Sequence, residues 1–277
     1  MLVSLREILC EAEKGGYAVP AFNVYNMETV MGVLHAAEAA RSPVIMQIYS
    51  RLFDSENGKF AGANILAAAK VATVPVAFHL DHGATEAQVI GALDAGATGI
   101  MIDASKLEFD DNVAVTRKIV ARCKAAGDIA VEGELGHVGT TKEEIGDNYT
   151  EPEAARRFVE KTGVEALAVA VGTAHGRYKK APKLAIERTR EIKKAAGVPL
   201  VLHGGSGVPD EEIRAAIGAG IRKVNFSTDL CYSFLDTVFA TSREWVGIDL
   251  FMRDAVKAVE NFALSKIAVL GSAGQAK

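Results

Sequence analysis

Residues 78–83, Phe78-His79-Leu80-Asp81-His82-Gly83, close the apolar run Val74-Pro75-Val76-Ala77-Phe78 with one carboxylate and two imidazoles. An apolar strand that ends abruptly in ionisable groups is how a barrel enzyme presents its chemistry at the carboxyl ends of its strands. The pattern recurs at His175-Gly176 and His203-Gly204, where an apolar run again ends in a histidine followed by glycine, as His82 is by Gly83. Brought to one mouth, three imidazoles with a carboxylate nearby suit zinc, which leaves a coordination position open for substrate. His35, His79 and His137 lack this setting and read as hydrogen-bonded structural histidines.

A second constellation could hold an anion. His203-Gly204-Gly205-Ser206-Gly207 ends one apolar run, and Asn225-Phe226-Ser227-Thr228-Asp229 ends the next and opens a helix. Barrels commonly bind phosphate with the loops after strands seven and eight, where backbone N–H groups and a helix N-terminus face the anion. A lone Gly-Gly-Ser-Gly stretch is usually a flexible turn; its position directly after a candidate metal ligand points to phosphate. The polar, glycine-punctuated stretch 136–148 reads either as a solvated loop or as a lid bringing Glu143 or Glu144 over the site.

The elements that must position these residues alternate from end to end. Apolar runs at 18–25, 43–49, 74–80, 99–103, 129–135, 166–172, 199–203 and 223–227 read as eight strands. Helical patterns fall at 28–41, 61–72, 85–95, 112–126, 152–162, 184–196 and 210–219, with Thr85 and Asp210 as N-caps and Gly96, Gly127, Gly163, Gly197 and Gly220 just past the ends. Nearly uninterrupted apolar strands argue for parallel pairing with both faces buried. The expected fold is α/β, a single (β/α)8 TIM barrel with a C-terminal helical extension. A Rossmann arrangement is the weaker reading, because the first run ends in Asn23-Val24-Tyr25-Asn26 without a glycine-rich turn. The strand ends then carry Asn23, Ser50, Asp81-His82, Asp103-Ser105, Glu132 and Glu134, His175, His203 and Asn225. With no linker or low-complexity stretch, residues 1–277 form one domain, closing in a helix from 249 onward and a mobile tail at Gly271-Ser272-Ala273-Gly274.

Composition bounds the function. Hydrophobic residues at 49% and charged residues at 24% are ordinary for a soluble enzyme. A net charge of −4 without blocks of like charge gives no support for nucleic-acid or membrane-surface binding. Cys10, Cys123 and Cys231 form no Cys-x-x-Cys pair, so neither a disulfide framework nor a thiolate zinc site is suggested, and free thiols fit a reducing cytoplasm. The first residues read as an amphipathic helix capped by Ser4, not as a signal peptide, and no apolar run reaches membrane-spanning length.

In this order, the motifs Ala18-Val19-Pro20-Ala21-Phe22-Asn23, His79-Leu80-Asp81-His82, Met101-Ile102-Asp103-Ala104-Ser105, Glu132-Gly133-Glu134-Leu135-Gly136, Gly172-Thr173-Ala174-His175-Gly176, Leu202-His203-Gly204-Gly205-Ser206-Gly207 and Lys223-Val224-Asn225 resemble the class II, metal-dependent fructose-bisphosphate and tagatose-bisphosphate aldolases over nearly the whole chain. The resemblance implies zinc on His82, His175 and His203, with Glu132 able to occupy a further metal position and Asp103 as an outer carboxylate near the metal path. It implies Asp81 as the acid/base at the hydroxyl of the bond being cleaved, and Glu143 or Glu144 as the group that protonates the carbon. It implies binding of dihydroxyacetone phosphate (DHAP) by Asn23, Ser50, Gly176, Gly204, Gly205, Ser206, Asn225, Phe226, Ser227 and Thr228. A monovalent cation (Na+ or K+) near the phosphate, a small phosphorylated sugar as substrate and a homodimer or homotetramer also follow from it.

Departures fall on the aldehyde half of the substrate. Ser227 stands where fructose-bisphosphate enzymes usually carry Asp and tagatose-type relatives a small residue. Asp249-Leu250-Phe251-Met252-Arg253 aligns with an Asp-Pro-Arg motif whose Arg holds the distal phosphate in a neighbouring subunit, and Phe251 takes the place of that Arg. Ser50-Arg51-Leu52-Phe53-Asp54 resembles the strand-two loop of the inositol-pathway aldolase, where an arginine suits an acidic aldehyde. The expected reaction is cleavage of a ketose 1,6-bisphosphate; the alternatives are a ketose 1-phosphate or acidic phospho-sugar, a Schiff-base aldolase using Lys223, and a non-catalytic phosphosugar-binding barrel.

Overall fold

A computed structural model of the protein describes residues 1–141, 149–245 and 247–276. Eight parallel strands close into a barrel in sequence order: β1 (Val19–Asn23), β2 (Val44–Tyr49), β3 (Val76–Gly83), β4 (Gly99–Ile102), β5 (Ala130–Leu135), β6 (Ala166–Val169), β7 (Leu200–Leu202) and β8 (Ile221–Phe226). Helix α1 (Leu5–Gly15) precedes them. Helices α2 (Met27–Ala40), α3 (Asn57–Val71), α4 (Glu86–Asp94), α5 (Phe109–Ala125), α6 (Pro152–Thr162), α7 (Ile186–Ala196), α8 (Asp210–Ala219) and α9 (Thr228–Ala240) follow the strands one by one, and α10 (Ile248–Leu270) is the C-terminal extension. This is the (β/α)8 barrel expected from the sequence.

Both faces of the strands are buried, which is why they read as unbroken apolar runs. Outward residues such as Phe22, Met46, Phe78 and Leu80 pack under the helices. Inward residues Val19, Ala21, Ile45, Ala77, Ala130, Ala166 and Val201 form a separate cluster on the barrel axis. Helix α1 closes the amino end of that axis: Leu5, Ile8, Leu9 and Ala12 are buried against the inner cluster, and the Leu5 N–H donates to Thr98 O at 3.1 Å. Its start is fixed by a capping box in which the Ser4 hydroxyl accepts from the Glu7 N–H and the Glu7 carboxylate accepts from the Ser4 N–H.

Three local expectations change. Strand β3 runs past residue 80 and includes Asp81, His82 and Gly83. Pro209, not Asp210, caps α8; Asp210 is the first helical residue and meets Lys266 at 3.2 Å. The tail expected to be mobile is docked. Gly271 takes a left-handed conformation (φ 70), Ser272 is fully buried with its hydroxyl 2.9 Å from that of Ser42, and the Gly274 and Ala276 N–H groups donate to Ala40 O and Arg41 O at 2.9 Å. The glycines that look like flexibility let the chain turn back and satisfy carbonyls at the end of α2.

Because Leu5 is 1% exposed at the centre of the plug, Leu5→Ala should cost about 2–5 kcal/mol. Calorimetry should record a fall in Tm on the order of 5–10 °C. An unchanged Tm would mean that α1 lies outside the cooperative unit.

Candidate active site at the barrel mouth

Strand β3 delivers Asp81 and His82 side by side, which plain strand geometry forbids, since neighbouring residues point to opposite faces. The pairing between β3 and β4 shifts register between Leu80 and Gly83, and His82 adopts a left-handed backbone with φ 49. The irregularity re-aims the His82 ring into the mouth beside Asp81. A non-glycine residue held there stores roughly 1–3 kcal/mol of strain, which the surrounding packing must sustain.

His82, His175 and His203 converge: each offers one ring nitrogen, and the three lie within 4.8 Å of one another. His82 Nε2 and His203 Nδ1 are 2.8 Å apart. The other ring nitrogens are held by the protein. His82 Nδ1 is 2.8 Å from Asp103 Oδ2, His203 Nε2 is 2.9 Å from Glu132 Oε1, and the His175 ring hydrogen-bonds to the backbone of Val138. Such partners select the tautomer and orient the ring of a metal-binding histidine. Glu134 adds a second possible ligand group with His82 and Asp103. One of its oxygens is tied to the Val138 N–H at 3.0 Å and the Ser105 hydroxyl at 3.0 Å; the other is buried without a hydrogen-bond partner, 3.9 Å from His82 Nδ1. Imidazole nitrogens beside an unsatisfied carboxylate oxygen fit a divalent ion of the zinc type.

The electrostatics divide these groups by task. Burial disfavours charge on His82, but Asp81 and the bond to Asp103 prevail and raise its pKa to about 9. Burial, then the charge of His82, pushes His175 down to about 3, and His203 is lowered for the same reasons. Burial alone would raise Asp81, yet His82, His203 and Lys223 hold it below its ordinary value, so it is a carboxylate. Two amides aim it: Asn23 Nδ2 donates to Oδ2 at 2.7 Å and Asn225 Nδ2 to Oδ1 at 3.1 Å. Glu134 moves the other way, to about 8, through burial and the nearby Asp103.

Across a cavity of about 340 Å³, Gly176, Gly204, Ser206, Ser227 and Thr228 form the opposite wall. Gly204 has φ +67, and a Cβ there would stand 2.4 Å from Ala174 O, so only glycine lets the two loops approach. The wall is cross-tied. The Ser206 hydroxyl accepts from the Asp229 N–H at 3.1 Å, Asp229 accepts from the Gly207 N–H at 2.8 Å, and the Tyr178 hydroxyl bridges Ala174 and Gly204.

Of the sequence-derived set, Asn23, Asp81, His82, Asp103, His175, Gly176, Gly204, Ser206, Asn225, Ser227 and Thr228 line this cavity, with His203 buried behind His82. Five residues stand elsewhere. Glu132 lies deeper on the axis, bonded to Lys223 at 2.8 Å and to His203, and Glu134 is the carboxylate that neighbours His82. Phe226 points outward, packed on Phe22 and Phe262. Ser50 is buried at the start of a short 3-10 helix, and Gly205 serves as a backbone tie to Asn225 O. Glu143 and Glu144 lie outside the described residues. His137, expected to be a hydrogen-bonded structural histidine, lies 3.1 Å from the Ser105 hydroxyl and also lines the cavity, while His35 is exposed on α2. Tyr25, Tyr49 and Lys106 also line the cavity without having been singled out, and Val138 and Thr140, from the 136–148 stretch, line it too. The inward position of Tyr49, two residues after Gln47, was the only available signal, and it applies to any strand residue.

Compared with known proteins, the chain matches the family described as fructose-bisphosphate aldolase class-II over residues 3–275. It is 39% identical over 282 residues to Escherichia coli K12 YdjI, described as an uncharacterized protein, with both chains covered in full. The crystal structure of the E. coli YdjI aldolase gives a TM-score of 0.91 at 37% identity over 100% of each chain. A putative fructose-1,6-bisphosphate aldolase from Coccidioides immitis gives 0.89 at 28% identity, over 98% of this chain and 97% of that one. The Campylobacter jejuni fructose-bisphosphate aldolase shares the fold, with a TM-score of 0.81 at 24% identity over 99% and 97% of the two chains.

His175→Ala should abolish stoichiometric zinc binding, measured by elemental analysis after dialysis; full retention would refute the ligand set. Only a neutral imidazole binds metal, and His82 in the metal-free chain keeps its proton up to about 9. Zinc affinity should therefore rise with pH toward that value, with a proton released on binding near neutrality. Calorimetry in buffers of different ionisation enthalpy checks this, and binding without proton release would contradict it.

Proposed function

The chain belongs to the class-II fructose-bisphosphate aldolase family, and on that premise we propose that it performs zinc-dependent, reversible aldol cleavage of a phosphorylated ketose to DHAP and an aldehyde. The observation that carries this reading is Asp81: an ionised carboxylate aimed by two asparagines, beside three converging imidazoles and facing a glycine-rich wall.

His82, His175 and His203 would hold the zinc, with Asp103 and Glu134 as outer carboxylates. Bound there, zinc would supply Lewis-acid stabilisation of the negative charge that develops on the DHAP oxygens as the carbon–carbon bond breaks. The chain's own residues do the rest. The cradle of Gly176, Gly204, Ser206 and the N-terminus of α9 at Ser227 and Thr228 binds the phosphate through N–H and hydroxyl donors, and a monovalent cation, Na+ or K+, belongs to the same subsite. Asp81 takes the proton from the hydroxyl next to the breaking bond and returns it in the condensation direction. Asn23 and Asn225 keep both its oxygens occupied, so the carboxylate meets the substrate in one orientation. Protonation of the DHAP carbon falls to Glu143 or Glu144 in the loop after β5.

The first substrate reading is a ketose 1,6-bisphosphate of the fructose or tagatose type. A second is favoured by one observation: Arg51 and Lys106 line the cavity on the loops after β2 and β4, and neither has a carboxylate partner among the described residues. Arg51 rests on the Tyr49 ring, 4.9 Å from its centroid. Two side-chain cations, without a backbone cradle, suit the carboxylate of an acidic aldehyde as well as a phosphate. Assembly as a homodimer or homotetramer and a cytoplasmic setting belong to the same proposal.

Asp81→Ala should keep zinc and DHAP binding while cleavage falls by roughly 10²–10⁴-fold; a milder loss in steady-state assays would remove Asp81 from the proton transfer. For the aldehyde half, the condensation of DHAP with phosphorylated, carboxylated and neutral aldehydes should be compared. Arg51→Met should lower kcat/KM for the anionic aldehydes roughly tenfold or more, leaving neutral ones unchanged. An equal effect on all three would show that Arg51 does not read the charge.

A further inference from the structure

Beneath the mouth, the barrel axis holds ionisable groups that the reaction does not touch. Lys223 on β8, Glu132 on β5 and His79 on β3 are each 0% exposed. Lys223 Nζ lies 2.8 Å from Glu132 Oε2, Glu132 Oε1 lies 2.9 Å from His203 Nε2, and His79 Nε2 is 3.3 Å from Glu132 Oε2. The inward cluster around them mixes small residues, Ala21, Ala77, Ala130, Ala166 and Ala168, with Met101, which pairs with Glu132, and with Val19 and Val201, which pair with Lys223. The His79 ring is seated over Gly99, where a Cβ would stand 2.8 Å from His79 Nδ1.

A fully buried ion pair is a poor way to stabilise a core, because removing both charges from water consumes most of their attraction and an apolar pair of similar volume often does as well or better. What the pair does here lies one bond further on. A carboxylate can only accept, so Glu132 obliges His203 Nε2 to carry the proton and leaves Nδ1 as the lone-pair nitrogen. That Nδ1 is the atom 2.8 Å from His82 Nε2.

We infer that Lys223 is a positioning residue of the metal centre: through Glu132 it fixes the tautomer and the orientation of His203. Lys223 occupies one Glu132 oxygen and thereby presents the other to the imidazole. The inference rests on the reading that the three imidazoles hold zinc, and it assigns Lys223 a role other than nucleophile.

A pair of near-isosteric variants tests it, since the outcome depends on which way an amide faces. In Glu132→Gln the ammonium of Lys223 still demands an acceptor. The amide oxygen turns to Lys223, its NH2 faces His203 Nε2, and the proton is driven to Nδ1, the wrong nitrogen for a metal. Adding Lys223→Met removes that demand and lets the amide oxygen accept from Nε2 again. Zinc affinity, measured by chelator competition on the full chain, should fall 10- to 100-fold in Glu132→Gln, the usual scale for losing such a partner. It should recover at least tenfold in Glu132→Gln with Lys223→Met. The visible spectrum of the cobalt(II)-loaded proteins should be perturbed in the first variant and return toward wild type in the second. Wild-type affinity in Glu132→Gln, or no recovery on adding Lys223→Met, overturns the inference. If Glu132→Gln does not fold, Glu132→Leu with Lys223→Met replaces it: a 10- to 100-fold loss of zinc affinity with no loss of Tm is expected, and wild-type affinity there overturns the proposal. A wild-type chain that binds no zinc would instead remove the metal reading itself.

Discussion

An imidazole has two nitrogens, and whichever one the protein occupies decides which is left for chemistry. At this mouth that choice is made three times, by Asp103 on His82, by Glu132 on His203 and by the backbone of Val138 on His175. The rest of the site follows from it. Three imidazoles within 4.8 Å cannot all be charged, and the structure keeps two of them neutral by burial and by the charge of the third. The charges of His82 and Lys223 keep Asp81 ionised in a place where burial alone would protonate it. The orientation of the imidazoles and the ionisation of Asp81 are thus one electrostatic arrangement.

That arrangement needs a strand that breaks its own rule. Two adjacent residues of β3 must both face the mouth, and the register shift after Leu80 with the left-handed His82 makes this possible. Glycine at position 83 fits the same need, because a Cβ there would come 2.5 Å from Met101 O. The sequence motif marks the spot without showing the conflict: alternation assigns Asp81 and His82 to opposite sides, and only the slipped ladder reconciles them.

The barrel itself is legible from the sequence because strands buried on both faces are written as apolar runs, and an ionisable residue at the end of such a run has few structural reasons to be there. That logic places Asp81 and the three histidines correctly with respect to one another. It fails where depth, and not face, is what matters. Glu132 and Glu134 both point inward, and the stagger between strands, which a sequence does not record, puts one beneath His203 and the other beside His82. Phe226 fails differently. Its neighbour Asn225 points in, so alternation alone sends Phe226 out to Phe22 and Phe262, and only its membership of a motif suggested otherwise. The docked tail was hidden for a third reason: whether glycines loosen a chain or turn it back depends on the distant carbonyls of Ala40 and Arg41, beside the Ser42–Ser272 contact that joins positions 230 residues apart.

The inner and outer cores of the barrel divide the work that these groups require. Charge on the axis and strain at His82 both cost stability, and the small inner cluster, in which alanines sit beside Met101, Val19 and Val201, buries less apolar surface than the shell. The compensation comes from outside the axis, from Phe22, Phe78 and their neighbours under the helices and from the α1 plug at the opposite end. Small residues on the axis are thus not weak packing. They leave part of the volume that Lys223, Glu132 and His79 occupy beneath the mouth, where these groups reach the site only through His203. On this view a larger side chain at Ala168, level with Glu134 in the pairing of β5 with β6, would add apolar contact at the expense of the carboxylate's seat, which is why a barrel of this kind gains stability most readily in its shell and least readily along its axis.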